Sequence, residues 1–182
     1  MLMWLKRALI SIIFLPIFGF VGWYSINFLP HLKALHAIEA EGRTILGGSE
    51  DSIYPYALAA EGQKGIRIYA IQNLYVARIL KAKRQKMLWW RIHNILWYFV
   101  SFLHFNDKEI FHIWAVYAPY ENGRGLAKSA NYYFNKDLAS LNPKEIASIV
   151  VVVKSPSLYK PGGRRFQKRV TFLMEKVKTY NH

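Results

Sequence analysis

Residues Asn106–Pro161 read NDKEIFHIWAVYAPYENGRGLAKSANYYFNKDLASLNPKEIASIVVVVKSPSLYKP, and this stretch decides the fold. Twice within it an Asn is followed three residues later by a Glu, at Asn106–Glu109 and at Asn142–Glu145, which is the spacing of a helix capping box. Pro143 takes the first helical position after the second Asn. The stretch therefore predicts a helix, a loop punctuated by glycines, a second helix ending in Tyr133-Phe134-Asn135-Lys136, a capped apolar core helix, and an exit at Ser155–Pro161.

The composition limits the partners that the 182-residue chain can have. Its length suits one domain plus an anchor, and it contains no cysteine, which excludes disulfides, thiol nucleophiles and cysteine-ligated metals. The net charge is +14, which favours phosphate, anionic lipid or nucleic acid as a partner. Aromatic residues make up 16% of the chain, a level common in proteins that lie at a membrane interface and in binders of single-stranded nucleic acid.

The N-terminal segment predicts a membrane anchor. Residues 8–29 carry no charge, and as a helix they would span about 33 Å, enough for the hydrocarbon core of a bilayer. A cleaved signal peptide is the alternative, but no small-x-small cleavage site follows. Lys6 and Arg7 precede the span and favour a cytoplasmic N-terminus, which places the rest of the chain outside the cytoplasm. We therefore expect an anchor over residues 1–30, a domain over 31–182, and no nucleic acid partner.

The remaining segments predict an all-α domain. Residues 49–64 suggest a loop with a short helical turn. The very apolar residues 87–105 contain Arg91 and Asn94, which favours a buried or interface-lying helix and leaves open whether it enters the bilayer. The other predicted helices are a short one within 31–48, one over 65–86, and a basic amphipathic one that begins after Gly163, runs to about Lys178 and could lie on anionic lipid.

From Ile110 to Val177 the sequence resembles glycosyltransferase family 51, the peptidoglycan glycosyltransferases, especially the monofunctional membrane-anchored kind. Each matching feature is weak alone, and their order and spacing make the resemblance specific. The features, in chain order, are the helix Ile110–Val116, the loop Gly123-Arg124-Gly125, the box Tyr133-Phe134-Asn135-Lys136 followed by Leu141 to Ala147, and the Ser155–Pro161 segment with Lys168-Arg169 and Phe172-Leu173.

The resemblance implies a lysozyme-like helical domain with an N-terminal transmembrane helix in the bacterial cytoplasmic membrane, the domain facing the periplasm or the cell exterior. It also implies action on lipid II, a lipid-linked cell-wall precursor. In this family a Glu acts as general base on the acceptor hydroxyl, and basic residues, often with a divalent metal, hold the donor pyrophosphate. Apart from the resemblance, the basic C-terminal helix predicts anionic membrane lipid as a partner, and a non-catalytic protein on this scaffold could bind other envelope proteins.

Carried over onto this sequence, the resemblance makes Glu39 the catalytic base, with Glu50 as the alternative. Glu50-Asp51 matches the family's first motif literally, but Glu39 stands 33 residues before Gln72, closer to the family's spacing than the 22 residues from Glu50. Contacts to the donor phosphate or sugar would come from Gln72, Asn73, Arg78, Arg91, Asn94 and Arg124.

Several positions depart from the family pattern, so the sequence leaves enzymatic activity open. Asn94 replaces the second carboxylate, and His112 stands where the following helix normally has a Glu. A divalent metal is implied by the resemblance, but no ligand set is evident, so no metal and no cofactor are predicted. The two hypotheses are a glycosyltransferase acting on lipid II and a non-catalytic envelope binding or assembly protein built on the same scaffold.

Two basic turns that contain glycine also have two interpretations. Gly123–Gly125 and Lys160–Arg165 could bind an anion through backbone N–H groups and arginine, or they could be ordinary solvated turns.

Overall fold

The computed structural model describes residues 2–72 and 87–180, with side chains for residues 14–72 and 87–179. The predicted Asn73 and Arg78 therefore lie outside the described residues. The all-α class is confirmed and is consistent with a lysozyme-like domain. The elements are α1 Leu2–Asn27, α2 Leu29–Leu46, α3 Glu50–Ile68, α4 Met87–His104, α5 Asp107–Tyr117, β1 Pro119–Tyr120, β2 Gly123–Arg124, α6 Leu126–Phe134, a 3-10 turn at Leu138–Ser140, α7 Pro143–Lys154 and α8 Arg164–Tyr180.

The chain divides within α2 into two compact units, residues 1–36 and 37–182. In the first unit, α1 continues through Pro16, and its described side chains include many exposed apolar groups, among them Leu15 and Phe18. Within the described residues, no helix meets the length and apolarity needed to cross a membrane. The anchor and the domain boundary after residue 30 remain predictions from the sequence.

The core of the second unit is α7, as the sequence predicts. The side chain of Asn142 accepts from the backbone N–H of Glu145, whose carboxylate accepts from the backbone N–H of Asn142, so the predicted capping box is present. All eight residues from Ile146 to Val153 are buried. The helix packs against α3, α6 and α8, and Lys136 of the motif after α6 forms an ion pair of 2.8 Å with Glu145.

The prediction of a loop over residues 49–64 is wrong, because this segment forms most of α3. Its apolar residues Ile53 and Ala57 are buried, and packing against α5, α7 and α8 stabilises a helix that the local sequence only weakly favours. Gly62 breaks the helix with a positive φ of 70°. The break leaves carbonyl groups without helical partners, and two lysines of other helices cap them: Lys154 donates to the Ala60 carbonyl and Lys176 to the Ala59 carbonyl.

Helix α4 is half-buried, in agreement with the predicted buried or interface-lying helix. Its inner face includes Trp97 and Val100. Its outer face is strongly apolar, with Leu88, Trp89, Ile95, Phe99, Phe102 and Leu103 exposed.

The glycine loop contains one feature that the sequence did not predict. Strands β1 and β2 form a two-residue antiparallel ladder that pairs Pro119 with Arg124. Gly125 follows with φ 106°, a conformation that favours glycine, and donates its N–H to the Ala118 carbonyl. This tight hairpin turns the chain from α5 into α6.

Candidate functional site

The two acidic residues proposed as alternative bases lie on either side of one imidazole ring. His112 Nδ1 lies 2.6 Å from Glu39 Oε1, and His112 Nε2 lies 3.0 Å from Glu50 Oε2. The side chains of Glu39 and His112 are buried, whereas that of Glu50 keeps 21% of its surface exposed. We call these three residues the Glu–His–Glu cluster.

Three helices bring the cluster together. Glu39 lies on α2, Glu50 occupies the first position of α3, and His112 lies on α5. A glycine allows the close approach of α2 to α5: a Cβ at Gly42 would lie 2.1 Å from the His112 backbone oxygen. Because no side chain larger than hydrogen fits there, Gly42 sets the distance at which Glu39 can reach the imidazole.

Basic side chains neutralise the cluster from outside. Arg43 donates to Glu39 from Nη2 at 2.8 Å and from Nε at 3.3 Å, both to Oε1. Lys108 lies 3.6 Å from Glu50 Oε1 and 3.3 Å from the exposed Asp51. The two carboxylates therefore face two basic side chains outside the cluster, which limits the repulsion between their charges.

Each ring nitrogen of His112 lies within hydrogen-bond distance of one carboxylate oxygen. An ionised carboxylate accepts hydrogen bonds and cannot donate them. Burial raises the pKa of Glu39, but the hydrogen bonds from His112 and Arg43 and their charges outweigh it, so the pKa of Glu39 lies below its usual value. Glu39 is thus held as a carboxylate in a buried position.

Glu39→Gln is expected to destabilise the fold at pH 7 and to cost progressively less as the pH falls. The folded-state pKa of Glu39 lies below its unfolded value, so its ionised form stabilises the fold above about pH 4.3. That contribution disappears as the pH falls through the lower, folded-state pKa. Urea unfolding at pH 7, 5 and 3.5 should therefore show a difference from wild type that shrinks towards acid.

Glu41→Gln is the matched control, since Glu41 is an exposed carboxylate on the same helix two residues further on. Its effect on the free energy of unfolding should stay within about 0.5 kcal/mol at every pH. A difference between Glu39→Gln and wild type that grows as the pH falls would contradict the assignment of Glu39 as a stabilising carboxylate.

The other predicted contact residues fall into a different group. Gln72 Nε2 donates to the Asn94 backbone carbonyl at 3.0 Å, and Asn94 Nδ2 donates to the Trp90 carbonyl at 2.8 Å. Within residues 2–72 and 87–180, no hydrogen bond joins this pair to the Glu–His–Glu cluster. Arg91 on α4 and Arg124 in β2 are both exposed.

The residues present do not fit a divalent cation. At the position of the second carboxylate, Asn94 offers one neutral oxygen, Oδ1, which is buried without a hydrogen-bond partner. His112 contacts one oxygen of each carboxylate in the Glu–His–Glu cluster, Glu39 Oε1 and Glu50 Oε2. In the described part of the chain, no group of three or more His, Asp or Glu residues is arranged to hold a metal ion.

Sequence reasoning did not predict the role of His112. The position was recognised as a substitution for Glu, but no partner was assigned to it. One feature of the sequence could have suggested this role. A histidine in place of a glutamate can form hydrogen bonds with other carboxylates, where a third carboxylate would repel them. The cluster links residues 73 and 62 positions apart, a proximity that helical periodicity cannot reveal.

Comparison with known proteins adds one match. A protein-family model described as Transglycosylase matches residues 70–178, more than half of the chain. The matched range includes Gln72, Asn94 and His112, whereas Glu39 and Glu50 lie before it. A search of curated proteins found no match.

Proposed function

The chain belongs to the transglycosylase family, and on this premise we propose that it binds lipid II, a lipid-linked cell-wall precursor, with glycosyl transfer reduced to a low rate or lost. The site of action is the outer face of the bacterial cytoplasmic membrane, where the uncharged residues 8–29 anchor the domain after Lys6 and Arg7. The family membership supports a cell-wall precursor as the ligand in general.

The enclosure of Glu39 carries this proposal. A general base must come within hydrogen-bond reach of the hydroxyl that it deprotonates, and its pKa should lie near the working pH. The Glu39 side chain is 7% exposed, and its Oε1 is held by His112 and Arg43. Its pKa is lowered, so the carboxylate is a weak base. Its burial also makes it poorly accessible to a substrate hydroxyl.

The loss of the second carboxylate supports the same conclusion. In the family reaction, charge develops on the leaving pyrophosphate and must be stabilised by cations. Asn94 cannot recruit a metal there as a carboxylate would. General acid–base help contributes about 10²–10⁴-fold and electrostatic support a similar factor, so losing both lowers turnover by several orders of magnitude.

One observation favours a second candidate, a slow glycosyltransferase that uses Glu50. This carboxylate is more exposed than Glu39, and His112 joins the two. Glu50-Asp51 also keeps the acidic pair of the family's first motif.

Labelled lipid II tests the proposal through two readouts on one preparation. The full chain in detergent should bind the precursor and form few or no glycan chains on a polyacrylamide gel, beside an active family member as reference. Binding should be unchanged in Glu39→Gln, because Glu39 is enclosed. The exposed Glu41→Gln serves as the charge-matched control.

Two outcomes would decide against the proposal in favour of catalysis. Chain formation at the rate of the active reference would show that the enclosed cluster permits turnover. Chain formation that disappears in Glu50→Gln but not in Glu41→Gln would establish the slow glycosyltransferase.

A third outcome concerns the ligand. Absence of both binding and product in a folded protein would exclude lipid II as the ligand.

A further inference from the structure

A second site is indicated by a basic groove between the Ser155–Pro161 exit segment and the first half of α8. The groove has a volume of about 450 Å³ and is lined by Leu158, Tyr159, Arg165, Lys168, Arg169 and Phe172. Arg165, Lys168, Arg169 and Phe172 follow the i, i+3, i+4, i+7 pattern of one helix face. Val170 and Leu173 of the same helix are buried, so α8 packs through one face and presents this groove on another.

The groove carries positive charge that no acidic side chain in its lining offsets. No lining residue is acidic, and in the described ranges 2–72 and 87–180 none of its three basic side chains forms an ion pair. Arg165 and Arg169 are four residues apart, a spacing at which like charges on a helix repel. The first turn of α8 contains no acid and begins with Arg164 and Arg165, although a helix N-terminus favours negative charge. A bound anion would reduce the repulsion between Arg165 and Arg169 and would supply negative charge near the N-terminus of α8.

One donor in the groove has no acceptor. Arg169 Nε is buried and lacks a hydrogen-bond partner among the described residues. Buried polar atoms in folded proteins are nearly always bonded, so such an atom indicates a missing partner. The Arg169 guanidinium carbon lies 5.2 Å from the Phe172 ring centroid, which orients the planar group. A guanidinium can donate two parallel hydrogen bonds to phosphate oxygens.

The apolar neighbours narrow the ligand class. Leu158 and Phe172 are large hydrophobic residues, and each keeps about half of its surface exposed (48% and 49%). A free inorganic anion would leave both in water, whereas a lipid would cover them with its acyl chains. We propose that this groove binds the phosphate headgroup of an anionic phospholipid, with Arg169 and Arg165 on the phosphate and Phe172 against the lipid glycerol and chains.

This site is independent of the proposed function. None of its lining residues belongs to the Glu–His–Glu cluster or to the Gln72–Asn94 pair. It needs neither glycosyl transfer nor lipid II, only a phospholipid. A negative result with lipid II would therefore not contradict the phospholipid site, and a negative result with phospholipid would not contradict lipid II binding.

Titration of the full chain in a nonionic detergent with short-chain phosphatidylglycerol tests the site, read by calorimetry and phosphorus NMR. Arg165→Gln combined with Arg169→Gln should weaken binding about tenfold or more, because two charge-assisted contacts are removed. Phe172→Ala keeps every charge and should weaken binding of the lipid about threefold, because the apolar contact with the lipid is lost; binding of glycerol phosphate should weaken less.

The matched control is Lys64→Gln combined with Lys128→Gln, which removes two charges elsewhere on the protein and gives the same net charge. This double variant should bind within about twofold of wild type, because long-range charge effects are screened by salt. Circular dichroism verifies the folding of each variant. If the double variant unfolds, the single groove variant Lys168→Gln is titrated in its place.

Three results would overturn the site. The control variant could lose as much affinity as the groove variant, which would show general charge attraction. Wild type could bind phosphatidylcholine as tightly as phosphatidylglycerol, which would exclude recognition of an anionic headgroup. Inorganic phosphate could bind as tightly as the lipid, which would exclude a role for the apolar neighbours.

Discussion

Asp107→Ala is expected to lower the free energy of unfolding by about 3 kcal/mol. Asp107 Oδ1 lies 2.8 Å from Nη2 of Arg67, a side chain that keeps only 2% of its surface exposed. Removal of the carboxylate leaves a buried guanidinium without its counter-charge. This loss of stability lies at the lower end of the range expected when a buried ion pair loses one partner, because the Asp107 side chain itself is 35% exposed.

The remaining partners of Arg67 explain why the site matters to the fold. Arg67 also donates to Ser101 Oγ and to the Phe105 carbonyl, and its guanidinium lies 3.8 Å from the Phe102 ring centroid. One side chain of α3 thus holds the end of α4 and the start of α5. Gln63 adds a further hydrogen bond to Asp107.

Urea unfolding of three variants measures the effect. Asp51→Ala is the control, because Asp51 is 91% exposed and its ion pair with Lys108 should contribute less than about 1 kcal/mol. A double variant, Arg67→Met with Asp107→Ala, should be more stable than Asp107→Ala alone, since no buried charge remains unpaired. Equal stability of Asp107→Ala and Asp51→Ala would disprove the structural role of this pair.

Gly42→Ala is expected to destabilise the protein by about 3 kcal/mol and to separate Glu39 from His112. The added methyl group would lie 2.1 Å from the His112 carbonyl oxygen and 2.5 Å from its carbonyl carbon. These are backbone atoms, so no side-chain rotation can relieve the clash. Helix α2 must move away from α5, and a hydrogen bond of 2.6 Å cannot survive that displacement.

Gly22→Ala provides the comparison, because Gly22 is also helical and a Cβ added to it would meet nothing within 4 Å. That substitution should leave the free energy of unfolding of the domain within about 0.5 kcal/mol of wild type, because Gly22 lies in the predicted anchor. Thermal unfolding measures stability, and NMR of the imidazole ring reports whether His112 keeps both carboxylate partners. An unchanged His112 spectrum in a stable Gly42→Ala protein would contradict the close packing of α2 on α5.

Interactions between near neighbours in the chain were predictable from the sequence. Both capping boxes join residues three positions apart, so residue types and spacing were enough to place the starts of α5 and α7. The nearly all-apolar run Ile146–Val153 after the Asn142 cap likewise predicted the core helix, because apolar residues on every side of a helix favour burial. Lys136 and Glu145 belong to the same local region, although their ion pair required the fold to be observed.

Interactions between distant segments were not predictable in the same way. Residues 49–64 have weak helical signals, with Pro55 and Gly62 inside, and only packing against three other helices makes them α3. Spacing favoured Glu39 over Glu50 as the base, but it could not show that both carboxylates reach the same ring. Their partner His112 comes from a third helix.

The amino-acid sequence determined the family likeness through the order and spacing of its motifs. It also determined the all-α class and the positions of the capped helices, since these depend on helical periodicity and short-range hydrogen bonds. The Glu–His–Glu cluster, the burial of Arg67 and the groove around Arg169 depended on tertiary structure. The physical reason is distance along the chain: charges are paired or left unpaired by side chains on other helices, and only the packed fold specifies which of them meet.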